Sequence, residues 1–189
     1  MKALLPLVAA AALLSGSLGA QAAGSLVFTP TGSTVSPGSS FAVQVRGSGF
    51  SDNVVGGGLN LSFDPGVLAL TGVSVDTGVW EFASSNGLVD NALGTLSDVY
   101  FNSFKAVLPT GDFAVASLQF TALAIGSSAL QMSASASFPF ANDVAEAVAV
   151  SFQPANVTVT AVPEPQRWAL FAAGLGVLGA LVRHRVACS

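Results

Sequence analysis

The stretch Leu59-Asn60-Leu61-Ser62-Phe63-Asp64-Pro65-Gly66-Val67-Leu68 decides the fold class. Leu59, Leu61 and Phe63 alternate with Asn60 and Ser62, the period of two that sends apolar side chains to one face of a strand and polar ones to the other. Asp64 then precedes Pro65 and Gly66, a turn in which an Asp side chain accepts backbone hydrogen bonds, and Val67 and Leu68 re-enter the interior. A half-buried strand, a tight turn and a return to the core follow one another within ten residues. The same pattern runs outward from here. Phe41, Val43 and Val45 oppose Ala42, Gln44 and Arg46, while Leu118 and Phe120 alternate with Gln119 and Thr121.

Between residues 23 and 161 such runs predict nine strands, at 25–29, 41–46, 57–63, 68–75, 95–104, 113–122, 129–134, 147–152 and 156–161. Gly, Pro, Ser, Asn and Asp punctuate them, and no helical period of useful length intervenes. The expected fold is all-β, an antiparallel β-sandwich. Residues 79–91 alternate poorly and read as a loop over the sheet surface. The twelve Phe of this region are expected mostly in the core, since they carry no polar handle.

Composition narrows the chemistry. The chain has 189 residues, 51% apolar and only 8% charged, against about 25% charged in an ordinary soluble domain. Its net charge of −4 argues against nucleic acid as a partner. The one His and the one Cys, His184 and Cys188, both stand within the last six residues. Residues 23–161 therefore hold no disulfide, His-based metal site or nucleophile–His pair. No enzyme activity and no cofactor are expected.

The apolar excess gathers at the two ends. Met1-Lys2 is a short positive start, Ala3 to Leu14 an apolar run, and Ala20-Gln21-Ala22 a small-x-small site. Residues 1–22 thus read as a signal peptide cut by signal peptidase, whose pocket admits only small side chains. At the other end residues 168–182 are uncharged and bounded by Arg167 and by Arg183-His184-Arg185. As a helix this run spans ~22 Å, short of the ~30 Å hydrocarbon core, with Arg side chains able to snorkel to the interfaces. Trp168 stands where an interfacial anchor belongs, and the basic tail of residues 183–189 places the C-terminus in the cytoplasm. Before the helix, Val162-Pro163-Glu164-Pro165 continues neither strand nor helix and reads as an extended, solvated peptide.

The order Pro-Glu-Pro, short apolar helix and Arg-rich tail over residues 162–189 resembles the PEP-CTERM sorting signal of Gram-negative bacteria that make extracellular polysaccharide. The resemblance implies processing by exosortase, a membrane-embedded cysteine transpeptidase-like enzyme. Pro163, Glu164 and Pro165, with Val162, would be its recognition residues, and the helix with Arg183 and Arg185 would retain the chain in the inner membrane. The protein would be exported through that membrane, held transiently by its tail, and released to the cell surface or medium. The strand and its Asp64-to-Leu68 turn, with the later Ala116-Ser117-Leu118-Gln119-Phe120-Thr121-Ala122, resemble the cohesin-like fold. That family is a nine-stranded jelly-roll sandwich related to some carbohydrate-binding modules. True cohesins bind dockerins through one sheet face, and their interface residues find no match here.

Three functions follow as expectations. A structural or adhesive interaction module of the extracellular matrix or biofilm, with a protein ligand, leads. A carbohydrate-binding module for extracellular polysaccharide is the alternative; planar aromatics stack on sugars, and here only Trp80 and Tyr100 could serve, while Trp80 reads first as a half-buried ring closing the sandwich edge. A glycoside hydrolase, which needs two carboxyls across a cleft, comes last. The acids mostly stand beside Gly, Asn, Ser or Pro, where Asp forms turns. Asp90 with Asn91, or Asn142 with Asp143, carry the oxygens that a calcium ion takes, and read first as turn formers.

Overall fold

Alternation sorts the side chains between the two faces of each strand, and two sheets bring their apolar faces together. The computed structural model describes residues 22–161, all strands, turns and loops with no helix among them. The elements are β1 (Gly24–Thr29), β2 (Gly32–Val35), β3 (Ser40–Phe50), β4 (Gly56–Ser62), β5 (Leu68–Val75) and β6 (Ala83–Ser85). They continue as β7 (Leu88–Asp90), β8 (Thr95–Asn102), β9 (Gly111–Ala122), β10 (Gly126–Ala134), β11 (Val150–Phe152) and β12 (Ala155–Val159). One sheet has the order β11-β1-β3-β9-β5; the other runs β2-β12-β10-β4-β8-β6, with β7 also paired to β8. Leu26, Phe28, Val43, Val45, Leu118 and Phe120 from the first sheet meet Leu59, Leu96, Val99, Phe101, Leu130 and Val157 from the second. Each such side chain contributes about 1.5–3 kcal/mol relative to exposure.

All nine expected strands form, with shifted ends, and three more join them. β2, β6 and β7 are three or four residues long and built of Gly, Ser, Thr and exposed aliphatics, too short and too polar to show an apolar alternation. β6 and β7 lie in the supposed loop of residues 79–91, where they follow one another along the same edge of β8, both antiparallel to it, interrupted at Asn86 and Gly87, whose φ is 72°. The sandwich is not wholly antiparallel either. β1 pairs β11 in parallel, and so does β2 with β12. The cause is that both terminal segments change sheets, the first at Pro30 and the last at Pro154, and do so side by side. Gln153 N donates to Leu26 O at 2.9 Å and Asn156 N to Thr31 O at 3.2 Å across that switch.

Between β10 and β11, residues 135–149 cross as a strap whose Ala141 bridges Gly56 and Ala147. The glycines of β4 make room for it. A Cβ on Gly57 would stand 2.6 Å from the Phe140 ring, and one on Gly58 2.6 Å from Phe138 Cβ.

Two carboxylates fasten the loops at the end of the sandwich away from the Asp64 turn. Asp112 accepts a hydrogen bond from Gly49 N at 2.9 Å. That bond, the Ser48 hydroxyl and nearby Arg46 hold its carboxyl below the ordinary value against some loss of hydration. Partial burial pushes the Glu81 carboxyl up, but hydrogen bonds from its own backbone, Phe104 N (3.0 Å) and Ser103 Oγ (2.8 Å), with Lys105 at 4.0 Å, hold it below its ordinary range.

Two outcomes are expected. Leu61, 3% exposed, leaves a cavity when truncated, so Leu61→Ala should cost about 2–5 kcal/mol in urea unfolding of residues 23–161, with a melt indifferent to reductant. A helical circular dichroism spectrum or a non-cooperative melt would contradict the architecture. Because both carboxyls titrate lower folded than unfolded, their stabilisation is complete above the unfolded value of 4.5 for Glu81 and 3.8 for Asp112. It is lost as pH falls through the lower folded values. A Glu81→Gln/Asp112→Asn variant should therefore show a shallower fall of Tm between pH 5 and pH 2 than the parent.

Candidate functional site

Where β4 lies between β10 and β8, the sheet presents a face of neutral polar side chains to solvent. The register sets Gln131, Ser62 and Thr95 in one row across the three strands, and Ser133 with Asn60 in the next. The central positions carry short side chains, so the face is dished. Its groove of about 360 Å³ is lined by Asn60, Ser62, Thr95, Ser97, Gln131 and Ser133. Leu61, Leu96 and Met132 belong to its floor and turn their side chains inward. A second hollow of about 220 Å³ lies where the chain changes sheets, between Gln131, Met132, Phe152 and Pro154. Neither hollow is lined by an acid, so neither offers the facing carboxyls that glycoside hydrolysis requires.

A bulge shapes the groove's edge. Leu59 opposes Val99 and Leu61 opposes Leu96, leaving Ser97 and Asp98 together opposite Asn60. Asp98 takes a left-handed φ of 54°, a conformation that Asp tolerates better than most residues. Asn60 Oδ1 accepts from Asp98 N at 2.8 Å, and Ser135 Oγ donates to Asp98 Oδ1 at 2.6 Å. Ser135, 2% exposed, starts the strap. Asn60, Asp98 and Ser135 thus lock strand, bulge and strap together at the groove's rim.

The aromatics proposed for sugar stacking are placed otherwise. Trp80 is 1% exposed, its Nε1 donating to Ala114 O at 2.9 Å and its ring set against Phe101 and Phe113 at 4.5 and 5.4 Å. It plugs the gap between the sheets and offers no face to a sugar. The reading of Trp80 as a ring closing the sandwich is the one the structure bears out, with the ring buried more fully than expected. Tyr100 is half-buried with its ring stacked on Phe138 at 4.4 Å. The Phe expectation needs correction at two positions: Phe82 and Phe104 are 63% and 62% exposed and pair edge to face at 4.4 Å.

The supposed calcium donors serve the backbone. Asp90 Oδ1 accepts from Ala92 N and Leu93 N, and Asn91 holds both Leu70 N and Leu70 O. Asn142 Oδ1 accepts from Val144 N and Glu146 N, while Asp143 takes Asn53 Nδ2 at 3.3 Å. Among the described residues no three His, Cys, Asp or Glu side chains gather at one point. Nor does any helix there reach the length and apolarity needed to cross a membrane. Val162, Pro163, Glu164, Pro165, the run 168–182, Arg183 and Arg185 lie outside the described residues, as does the signal segment up to residue 21.

No protein-family model and no curated protein matches the sequence. Solved structures do match in shape. A type I cohesin–dockerin complex from Clostridium thermocellum aligns with TM-score 0.60 at 12% identity, over 72% of this chain and 99% of that one. The sixth cohesin of Acetivibrio cellulolyticus scaffoldin B, in complex with a dockerin, aligns with 0.58 at 21% identity over 72% and 99%. A non-cellulosomal cohesin from the archaeon Archaeoglobus fulgidus aligns with 0.54 at 14% identity over 77% and 97%. The likeness lies in the fold: residues 22–161 form a cohesin-like β-sandwich.

Proposed function

We propose that this chain is an exported, non-catalytic interaction module, carried on a removable C-terminal tether and binding a protein ligand through the open face of β10, β4 and β8. The neutral groove between Asn60, Ser62, Thr95 and Gln131 is the observation that carries the reading. A dished groove with convergent donors and acceptors and a neutral lining, Asp98 being held by Ser135 at its rim, suits a partner's polar side chains and backbone more than an ionic polymer. The structural neighbours include cohesins in complex with dockerins, which adds support for a protein ligand. The polysaccharide reading has less beneath it, with Trp80 in the core and Tyr100 stacked on Phe138.

Export and sorting rest on the sequence. The signal peptide of residues 1–22, the Pro163-Glu164-Pro165 peptide, the apolar run of 168–182 and the Arg183/Arg185 stop form one consistent topology, domain outside and tail inside. Moving each Arg through the hydrocarbon costs ~2.5–3.5 kcal/mol on insertion scales, so the tail stalls with its Pro-Glu-Pro peptide at the outer membrane face. Exosortase would cut there and pass the domain to the surface or matrix.

Each half has its own experiment. A photo-crosslinking residue at Ser62 in the surface-displayed protein should trap one partner protein, and Ser62→Arg should abolish co-isolation of that partner. Equal trapping from Gln44, on the outer face of the other sheet, would refute the assignment of the face. Replacing Pro163, Glu164 and Pro165 by Ala should leave a membrane-retained species that lacks only the signal peptide. Mass spectrometry of the parent should find the domain without its tail; a surface-localised parent with residues 168–189 intact would show an ordinary anchor.

A further inference from the structure

The two ends of the sandwich differ in charge, and the chain leaves from the one that is nearly bare. β12 runs to Val159 beside Gly126, and Thr160 N donates to Val35 O, so residues 160 and 161 emerge at the end formed by Ser36–Ser39, the Asp64 turn, Gly94 and the β9–β10 connection. Leu123 N donates to Val67 O, Phe63 N to Gly94 O and Gly38 N to Ala122 O, which ties these loops into one pole. Its tips are apolar: Leu93 is 71% exposed, Leu123 51% and Ile125 65%. Its two acids are turned to the backbone, Asp64 Oδ1 accepting from Gly66 N at 2.8 Å and Asp90 Oδ1 from Ala92 N at 2.9 Å.

The remaining charge lies elsewhere. Asp98 stands at mid-strand in β8. Asp52, Asp76, Glu81, Asp112, Asp143 and Glu146 occupy the opposite half, with both bases, Arg46 and Lys105. Exposed apolar side chains occur there too, at Phe82, Phe104, Val107 and Val144. They are interleaved with charged neighbours, such as Glu81 and Lys105 beside Phe104 and Asp143 beside Val144. Leu88 and Val89 are exposed as well, along the β7 edge above the exit pole. Among the described residues, the exit pole gathers exposed aliphatics at the loop tips of one end with almost no formal charge.

From this we infer that the exit pole is a lipid-facing foot: while the tail is in the membrane, Leu93, Leu123 and Ile125 rest in the bilayer interface. The inference builds on the tether proposed above. Six residues, 162–167, separate Ala161 from Trp168, and the seven steps between the two reach only about 25 Å even fully extended, which holds the pole at high effective concentration over the surface. Burial of aliphatic tips is favourable there. A pole with little negative charge meets little repulsion from acidic headgroups, whereas the opposite pole, with six acids against two bases, would be driven off. The domain then stands upright on the membrane, its charged end in solvent.

The test uses the chain from Ala23 to Ser189, with Cys188→Ser and a single labelling site, Leu123→Cys or Val107→Cys. Each protein carries an environment-sensitive fluorophore and is reconstituted into phosphatidylcholine–phosphatidylglycerol vesicles with or without nitroxide-bearing lipid. The label at 123 should shift to the blue and lose most of its emission to the nitroxide lipid, while that at 107 keeps a water-like spectrum. A chain that floats with the vesicles but shows equal quenching at both positions overturns the foot and leaves the tether standing. A chain that does not float overturns both. A label at 123 that is shielded in proportion to protein density, without lipid quenching, assigns the pole to a second copy instead.

Discussion

The structure depends on the two terminal segments lying side by side in both sheets. Without a disulfide, a sandwich is held shut by its apolar interface alone, and its first and last strands are the ones most free to fray. Here each terminal segment is divided by a proline, Pro30 or Pro154, and contributes one strand to each sheet. β1 and β11 close one edge of the first sheet; β2 and β12 close one edge of the second. Proline suits the switch because it donates no backbone hydrogen bond, and the ladders are interrupted there in any case. Detaching either terminal segment as a whole would require pairings in both sheets to part. The same arrangement fixes the direction in which the chain leaves the domain.

The parts of this fold that were legible are those in which one strand carries its own evidence. Leu59-Asn60-Leu61-Ser62-Phe63 shows which side chains go inside, and Asp64 shows its turn, because both are local. The parts that were not legible depend on partners. Nothing in Gly32–Val35 or Leu88–Asp90 demands a strand; each exists because a neighbour offers an unpaired edge. The parallel pairs are likewise products of two distant segments meeting. Trp80 illustrates the same limit at a side chain. Its size and apolarity already favour a ring that closes the sandwich edge, but its partners there, Phe101 and Phe113, come from β8 and β9 and are not local to it.

The groove was half visible for the same reason. Asn60 and Ser62 are the polar members of the alternation, so their outward direction follows from the sequence. That Thr95, Gln131 and Ser133 come to stand beside them follows from the register, which a single strand does not encode. The bulge at Asp98 adds a further term. It takes two residues of β8 against one of β4 and uses the Asn60 side chain to hold the extra one, so a residue that lines the groove is also its fastening. The run Gly56-Gly57-Gly58 belongs to this design. It lets the strap pass close over β4, covering the far half of the face with Phe138 and Tyr100 and leaving the near half open.

That division gives the face a direction. The open rows, Gln131–Ser62–Thr95 and Ser133–Asn60, lie toward the pole from which β12 exits, and the covered rows lie toward the charged pole. The strands run from one pole to the other, so the groove opens sideways rather than through either end. With the exit pole seated on a bilayer, the lowest row would stand nearest the lipid, and a bulky partner would reach it only after the domain had left the membrane. Removing the tether would then do more than relocate the domain: it would uncover the side that binds. The neutral lining of the groove fits both situations, since it neither repels acidic headgroups while it is near them nor requires a charged partner once it is free.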